Sequence, residues 1–173
     1  MKSSLKIVTT PMCEEIVRLA GISNYVVSKT PDSVGADIAV VLSETTLSTK
    51  SIKIKLNTFS QIKESIEMLS KIFGSVPLNY EIKKTVDSKK SENRKIKVKV
   101  YSKFLKEIVE DMDFSIVDED YDFVVYPDYM KNKIINENAG TVEIPSHKNV
   151  PLNAIKRVEM RYNILEKKLC MKP

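Results

Sequence analysis

Tryptophan is absent from these 173 residues, histidine occurs once, cysteine twice and glycine four times. Each scarcity excludes something. Cys13 and Cys170 cannot build a disulfide framework or, by themselves, a tetrahedral zinc site. So few glycines leave no Gly-rich phosphate loop and no dinucleotide fingerprint. No run of eighteen apolar residues exists to cross a membrane as a helix. The opening MKSSLKIVTT is charged and then strand-like, without the apolar core and small-residue cleavage site of a secretory leader. A cytoplasmic protein with no membrane partner is the expectation. Cys170 stands fourth from the end, but Met-Lys-Pro follows it, which rules out a prenylation box.

What the chain has in excess is lysine, unevenly placed. Between Lys83 and Lys99 eight basic residues face Asp87 and Glu92, so that segment carries +6 of a total +5 and the remainder is close to −1. No aromatic residue lies between Lys83 and Arg94. A nucleic-acid footprint needs basic groups interleaved with stacking and base-reading side chains. This stretch reads instead as a solvated linker, and nucleic acid is not expected as a partner.

Hydrophobic periodicity supplies the architecture. Leu5–Thr9 and Tyr25–Ser28 read as strands, with a helix between them started by Thr10-Pro11 and stopped by Gly21. Asp37–Leu42 (DIAVVL) is almost continuously apolar, as in a strand covered on both faces. Ile52–Leu56 alternates and reads as an edge strand. Thr58 and Gln61 form a capping box for a helix with Ile62, Ile66, Leu69 and Phe73 on one face.

The same order then returns. Ile96–Tyr101 reads as a strand, Ser102 opens a helix, and Phe114–Val117, Asp122–Tyr126 (DFVVY) and Thr141–Ile144 read as strands. A last helix is expected from about Pro151 to Leu169, with its charged residues, Arg157 and Arg161 included, facing solvent. DFVVY follows DIAVVL at an offset of 85, each starting on an aspartate. The fold class is therefore α/β: two similar Rossmann-like β-α-β-β-β-α halves with mainly parallel sheets, joined by a polar Lys-rich linker. The expected boundaries are 1–82, 83–95 for the linker, and 96–173.

In open parallel sheets ligands bind outside the carboxyl ends of the strands. The first half brings Thr10, Cys13, Ser43, Glu44 and Asn57 to that edge, beside Thr9 and Thr58. The second brings Asp128, Tyr129, Ser146, His147 and Asn149, beside Ser102. Cys13, early in a helix, suits a thiolate nucleophile or soft ligand; its spacing from Ile16, Val17 and Ala20 equally suits a buried cysteine. His147, in a Pro-bounded loop that the first half lacks, suits an acid–base group, a metal ligand or a hydrogen-bonding loop residue. Both are weak metal candidates, and no metal set is assigned. The run Asp118–Asp122 imitates a calcium loop but has Phe123 and Tyr129 where glycine and glutamate are required.

Two resemblances add expectations. The first half, from KIVTTPMCEEIVRLAG to IKIKLNTFSQIKESIEMLSKIFG, resembles a lobe of the vitamin B12/siderophore class of substrate-binding proteins, which implies two lobes around a ligand. The stretch IPSHKNVPLNAIKRVEMRYNILEKKLCMKP resembles the end of the methanogenesis marker protein families, marker protein five among them. That resemblance implies a cytoplasmic archaeal accessory protein, working with other proteins of a methanogenesis-related complex. Assembly or activation of methyl-coenzyme M reductase, or handling of its nickel tetrapyrrole, is the implied context.

A non-catalytic accessory protein is the leading expectation. The alternative is a small-molecule, metal or tetrapyrrole cofactor binder using the cleft between halves, with the cofactor itself unidentified. An enzyme with Cys13 as nucleophile and His147 as base is the third reading.

Overall fold

The computed structural model describes residues 4–82, 90–134 and 139–170. The chain divides into two compact units: a first lobe of Met1–Ile82 with Pro151–Lys156, and a second of Lys83–Val150 with Arg157–Pro173.

The first lobe runs β1 (Ile7–Thr9), α1 (Glu14–Leu19), β2 (Tyr25–Val27), a 3-10 turn at Pro31–Ser33, β3 (Ile38–Leu42), β4 (Ser51–Ile54) and α2 (Phe59–Phe73). Its four strands are parallel in the order β2-β1-β3-β4. α1 and α2 pack on each other, and Ile16, Val17, Ile62, Ile66 and Leu69 are fully buried. The β-branched run of β3 suits a central strand bonded on both sides. On the other face a separate small core forms, in which Val8, Ala39 and Val41 meet Val34, Ala36 and Leu47. The last three come from connections between strands, so this face has a roof of loops.

α1 begins later than Pro11 suggests. Residues 11–13 form a turn in which the Cys13 and Glu14 amides both donate to the Thr10 carbonyl at 3.0 Å. Cys13, not Thr10, therefore occupies the N-cap position, and its side chain makes no capping bond. α2 starts as its capping box requires. The Gln61 amide donates to Thr58 Oγ1 at 3.2 Å, and Gln61 Oε1 accepts from the Asn57 amide at 2.9 Å. Gly74 ends α2 in the left-handed region (φ 64°), the backbone conformation that glycine adopts at least cost.

The second lobe runs α3 (Lys90–Asn93), β5 (Lys97–Val100), α4 (Lys103–Asp111), β6 (Ser115–Ile116), β7 (Phe123–Pro127), a 3-10 turn at Asp128–Lys133, β8 (Gly140–Ile144) and α5 (Ala154–Leu169), of which Ala154–Lys156 belong to the first unit. Its sheet is again all parallel, in the order β6-β5-β7-β8. α3 lies inside the span expected as linker. The buried Asn93 donates from Nδ2 to the Met112 carbonyl at 2.8 Å, closing the end of α4. Residues 83–89 of that span lie outside the described residues. α5 starts at Ala154 because Asn153 caps it, accepting from the Lys156 amide at 3.0 Å.

The likeness of the halves is visible in hydrogen bonds as well as in strand order. Asp37 Oδ2 accepts from the Lys6 amide at 2.7 Å while the Asp37 amide donates to the Lys6 carbonyl at 2.9 Å. Asp122 repeats both bonds with Lys97, each at 2.9 Å. The partners are 31 residues apart in the first lobe and 25 in the second, a difference of six. Strand register locates that difference. Ile7 pairs with Tyr25 and Val98 with Ile116, 18 residues apart in both lobes, so the β-α-β openings match. The six residues are missing from the β6–β7 connection, whose counterpart in the first lobe carries Pro31–Ser33, Val34 and Ala36.

Candidate functional site

Strand order reverses direction between β1 and β3 in the first lobe and between β5 and β7 in the second, and ligands of open α/β sheets settle at such points. At the first lobe's edge, Thr9 is buried and spends its hydroxyl on the Val40 carbonyl at 2.8 Å, so it is a strut. Thr10 gives its carbonyl to the turn before α1. Cys13 is fully buried and is not in a disulfide. Ser43 donates from its amide to the Ile54 carbonyl at 2.9 Å and from Oγ to Glu44 Oε2 at 3.1 Å, while Glu44 itself is exposed. Asn57 is half-buried beside the capping box.

The second lobe's edge is tied together more tightly. Asp128 Oδ1 accepts from the Tyr129 amide at 2.9 Å and from Ser146 Oγ at 2.6 Å, joining the end of β7 to the loop after β8. Burial by itself would raise the Asp128 pKa. The Ser146 hydroxyl and amide, the Tyr129 amide and the neighbouring His147 outweigh that effect, and the carboxyl is held below its ordinary value. From below, α5 sends up Arg161, only 4 % exposed. Its Nε donates to the Pro145 carbonyl at 3.1 Å and a terminal nitrogen to the Ser146 carbonyl at 2.5 Å. Its guanidinium lies 4.9 Å from the Phe104 ring centre on α4.

A carboxylate above and a guanidinium below thus fix Pro145 and Ser146, and the loop displays His147 and Asn149, both exposed. Asn149 sits at φ 60°, a left-handed turn that asparagine tolerates better than most residues. Tyr129 is 63 % exposed alongside. The Ser146 hydroxyl and the Tyr129 amide both donate to Asp128, and His147 and Asn149 share the loop of Ser146. Cys13, Thr10, Ser43, Glu44 and Asn57 belong to the other lobe.

Arg161 is the residue that sequence reading placed wrongly, together with Arg157. Both were assigned to the solvent face of α5, and both are buried, at 4 % and 2 %. Arg157 and Arg161 directly precede Val158 and Tyr162 on the inward stripe, and for Arg161 the carbonyls of Pro145 and Ser146 receive the charge inside. A second cluster also went unread. Lys99 Nζ stands 5.3 Å from the Tyr101 ring centre and 5.0 Å from that of Tyr121. Among the described residues no group of three or more histidine, cysteine, aspartate or glutamate side chains is placed to hold a metal ion.

No family model matches the chain, and no curated protein matches it. Solved structures do. Two zinc-bound, histidine-substituted variants of AdcAII from Streptococcus pneumoniae superpose with TM-scores of 0.56 and 0.58 at 9 % and 10 % identity. The superpositions cover 95 % and 96 % of this chain and 98 % and 100 % of those chains. The metal-dependent lipoprotein YcdH of Bacillus subtilis aligns over 96 % of this chain and 100 % of its own, with TM-score 0.45 and 10 % identity. At such identity the likeness is one of fold. The chain shares with AdcAII a fold of two Rossmann-like α/β halves with parallel sheets, which agrees with the two-lobed expectation drawn from Leu5–Gly74. Nothing in these comparisons supports the resemblance of Ile144–Pro173 to methanogenesis marker proteins.

Proposed function

We propose that this chain is a binding protein for a small molecule, with its ligand at the carboxyl edge of the second lobe's sheet and no catalysis of its own. The observation that carries this reading is the loop at 145–149, held from above by Asp128 and from below by the buried Arg161. A loop ordered in advance loses little entropy when a ligand arrives. The fold shared with the zinc-bound AdcAII structures supports a binding role. The donor set favours an organic ligand over a bare zinc ion: a zinc site takes three or four protein ligands, and no such group exists among the described residues. Ser146 donates its hydroxyl to Asp128, an arrangement that braces the loop.

Native mass spectrometry of the protein from its own cells tests the proposal. A retained small molecule, released in Asp128→Asn and His147→Ala, is the expected result. A bare polypeptide mass under conditions that preserve the fold would overturn it.

A second reading rests on the resemblance at Ile144–Pro173: an accessory protein of a methanogenesis-related complex. Recovery of the protein alone, at native abundance, from a methanogen lysate would remove that reading.

A further inference from the structure

Four strands end the two sheets, β2 and β4 in the first lobe and β6 and β8 in the second. The outer side of an edge strand carries backbone N–H and C=O groups that pair with another chain unless something guards them. Three of these edges are guarded. On β4 the exposed Lys53 and Lys55 flank the edge, and the Lys55 carbonyl accepts from Ser65 Oγ at 3.2 Å. β6 is two residues long and leads to the exposed Asp118, Glu119 and Asp120. β8 runs into Pro145, which has no N–H and whose carbonyl accepts from Arg161 at 3.1 Å.

β2 is the exception. No charged residue lies between Arg18 and Lys29, in a chain that is 29 % charged. Val26 and Val27 are 43 % and 37 % exposed, one on each face of the strand. Register decides which backbone groups are free. Val26 pairs with Val8, and the Ser28 amide donates to the Thr9 carbonyl at 2.9 Å. In a parallel ladder alternate residues turn both backbone groups toward the neighbouring strand. Val26 and Ser28 therefore face β1, while Tyr25 and Val27 point their N–H and C=O groups away from the sheet. Among the described residues nothing hydrogen-bonds to those four groups.

We propose that β2 is a self-association edge, at which two copies of this chain join β2 to β2 antiparallel and merge their four-stranded sheets. The phase of the free groups selects the second copy as occupant. With a two-fold axis through Val26, Tyr25 of each copy opposes Val27 of the other. Both are hydrogen-bonded pairs that exchange two N–H···O bonds, so the four free groups of each strand are all satisfied. Val26 meets the second copy's Val26 on one face, in the closely spaced kind of pair. Just beyond, Ser28 faces Asn24 and Lys29 faces Ser23, so no like charges meet. This association does not depend on the small-molecule reading above.

A strand of three residues makes a small interface, below about 1,200 Å², so the dimer is a weak one with Kd on the order of 10⁻⁴ M. Sedimentation equilibrium of the full chain from about 10 μM to about 1 mM should show a reversible monomer–dimer transition. Amide hydrogen exchange supplies an alternating signature. Exchange at Tyr25 and Val27 should slow severalfold across that range, whereas Val26 and Ser28, bonded to β1, should be slow throughout. Val26→Lys sets two ammonium groups against each other at the axis and should weaken the dimer by at least about tenfold. Val27→Pro deletes an N–H that makes no bond within the lobe, a place where edge strands accept proline, and should weaken it similarly.

Each contrary result is decisive. A protein that stays monomeric at about 1 mM would overturn the proposal and leave the edge to an extended segment of another protein. A dimer that either folded variant retains at full strength would place the association elsewhere. Tyr25 and Val27 amides that exchange slowly at every concentration would show the edge occupied within the chain. Should Val26→Lys lose its circular dichroism, Val27→Pro carries the same comparison, and exchange in the parent protein decides independently of both.

Discussion

Replacing Arg161 by methionine removes a buried cation while leaving its two acceptors in place, which makes the outcome calculable. Swapping a buried ion pair for apolar side chains is often neutral, because both charges leave together. Here the partners include the carbonyls of Pro145 and Ser146, which no side-chain substitution deletes. A hydrogen bond from a charged donor contributes about 1.5–3 kcal/mol, and an orphaned buried acceptor costs about 1–3 kcal/mol. The contact with the Phe104 ring adds about 0.5–2 kcal/mol. Against these stands the desolvation cost of the guanidinium, which methionine does not bear. Ser146 is 5 % exposed, so its carbonyl is not easily rehydrated, whereas Pro145 is half-buried and recovers part of its loss. The net expectation is a loss of about 2–4 kcal/mol, or about 4–16 °C in melting temperature at 2–4 °C per kcal/mol for a chain of this size. Lysine restores the charge but not the fork that reaches both carbonyls, and should recover about half. Thermal unfolding gives the magnitude, and hydrogen exchange at the Ser146 and His147 amides shows whether the loop loosens first. A melting temperature within about 2 °C of the parent, with unchanged exchange at those amides, would refute the claim that Arg161 holds the loop.

Two further perturbations follow from local geometry. Gly21 sits at φ 78°, and a Cβ there would lie 2.0 Å from the Val76 carbonyl oxygen. Gly21→Ala must push away a segment tied down by Leu78 to Leu19 at 2.8 Å and Ser75 to Ala20 at 2.6 Å, so urea denaturation should show a loss of about 2–4 kcal/mol; a loss under about 1 kcal/mol would contradict this packing. Asp128, with its folded pKa depressed, contributes stability that is complete above its unfolded value near about pH 4 and is lost as pH falls through the lower folded value. The stability gap between the parent and Asp128→Asn should therefore close on acidification below about pH 4, and a gap constant across that range would dissociate the carboxylate from the loop.

The fold was legible where several local signals agreed. The apolar runs of DIAVVL (37–42) and DFVVY (122–126) announced central strands, observed at Ile38–Leu42 and Phe123–Pro127, and Thr58 and Ser102 announced helix starts that the structure bears out. The site was legible only as positions. Strand ends can be found from periodicity, so Asp128, Ser146 and His147 could be placed at an edge. Which of them touch depends on how the β7 and β8 termini are brought together, 18 residues apart in sequence. Arg161 was hidden because charge and helical position argued in opposite directions, and tertiary contacts decide such conflicts. Lys99 was hidden because neither of the two lysines of IKVKVY carries a sign of the rings it faces. Only alignment of the copies through Asp37 and Asp122 reveals that its counterpart is Val8.

Those two aspartates have a consequence beyond marking the repeat. Each clamps the start of one strand to its parallel neighbour through two hydrogen bonds that admit a single alignment. A slip of one residue would exchange the two sides of a strand, sending Lys99 beneath the helices and Val98 outward. The carboxylates act as a pawl against that error. With alignment secured at one end, the opposite end of each sheet is released to vary, and a duplicated lobe can acquire a charged, aromatic surface without risk to the packing that folds it.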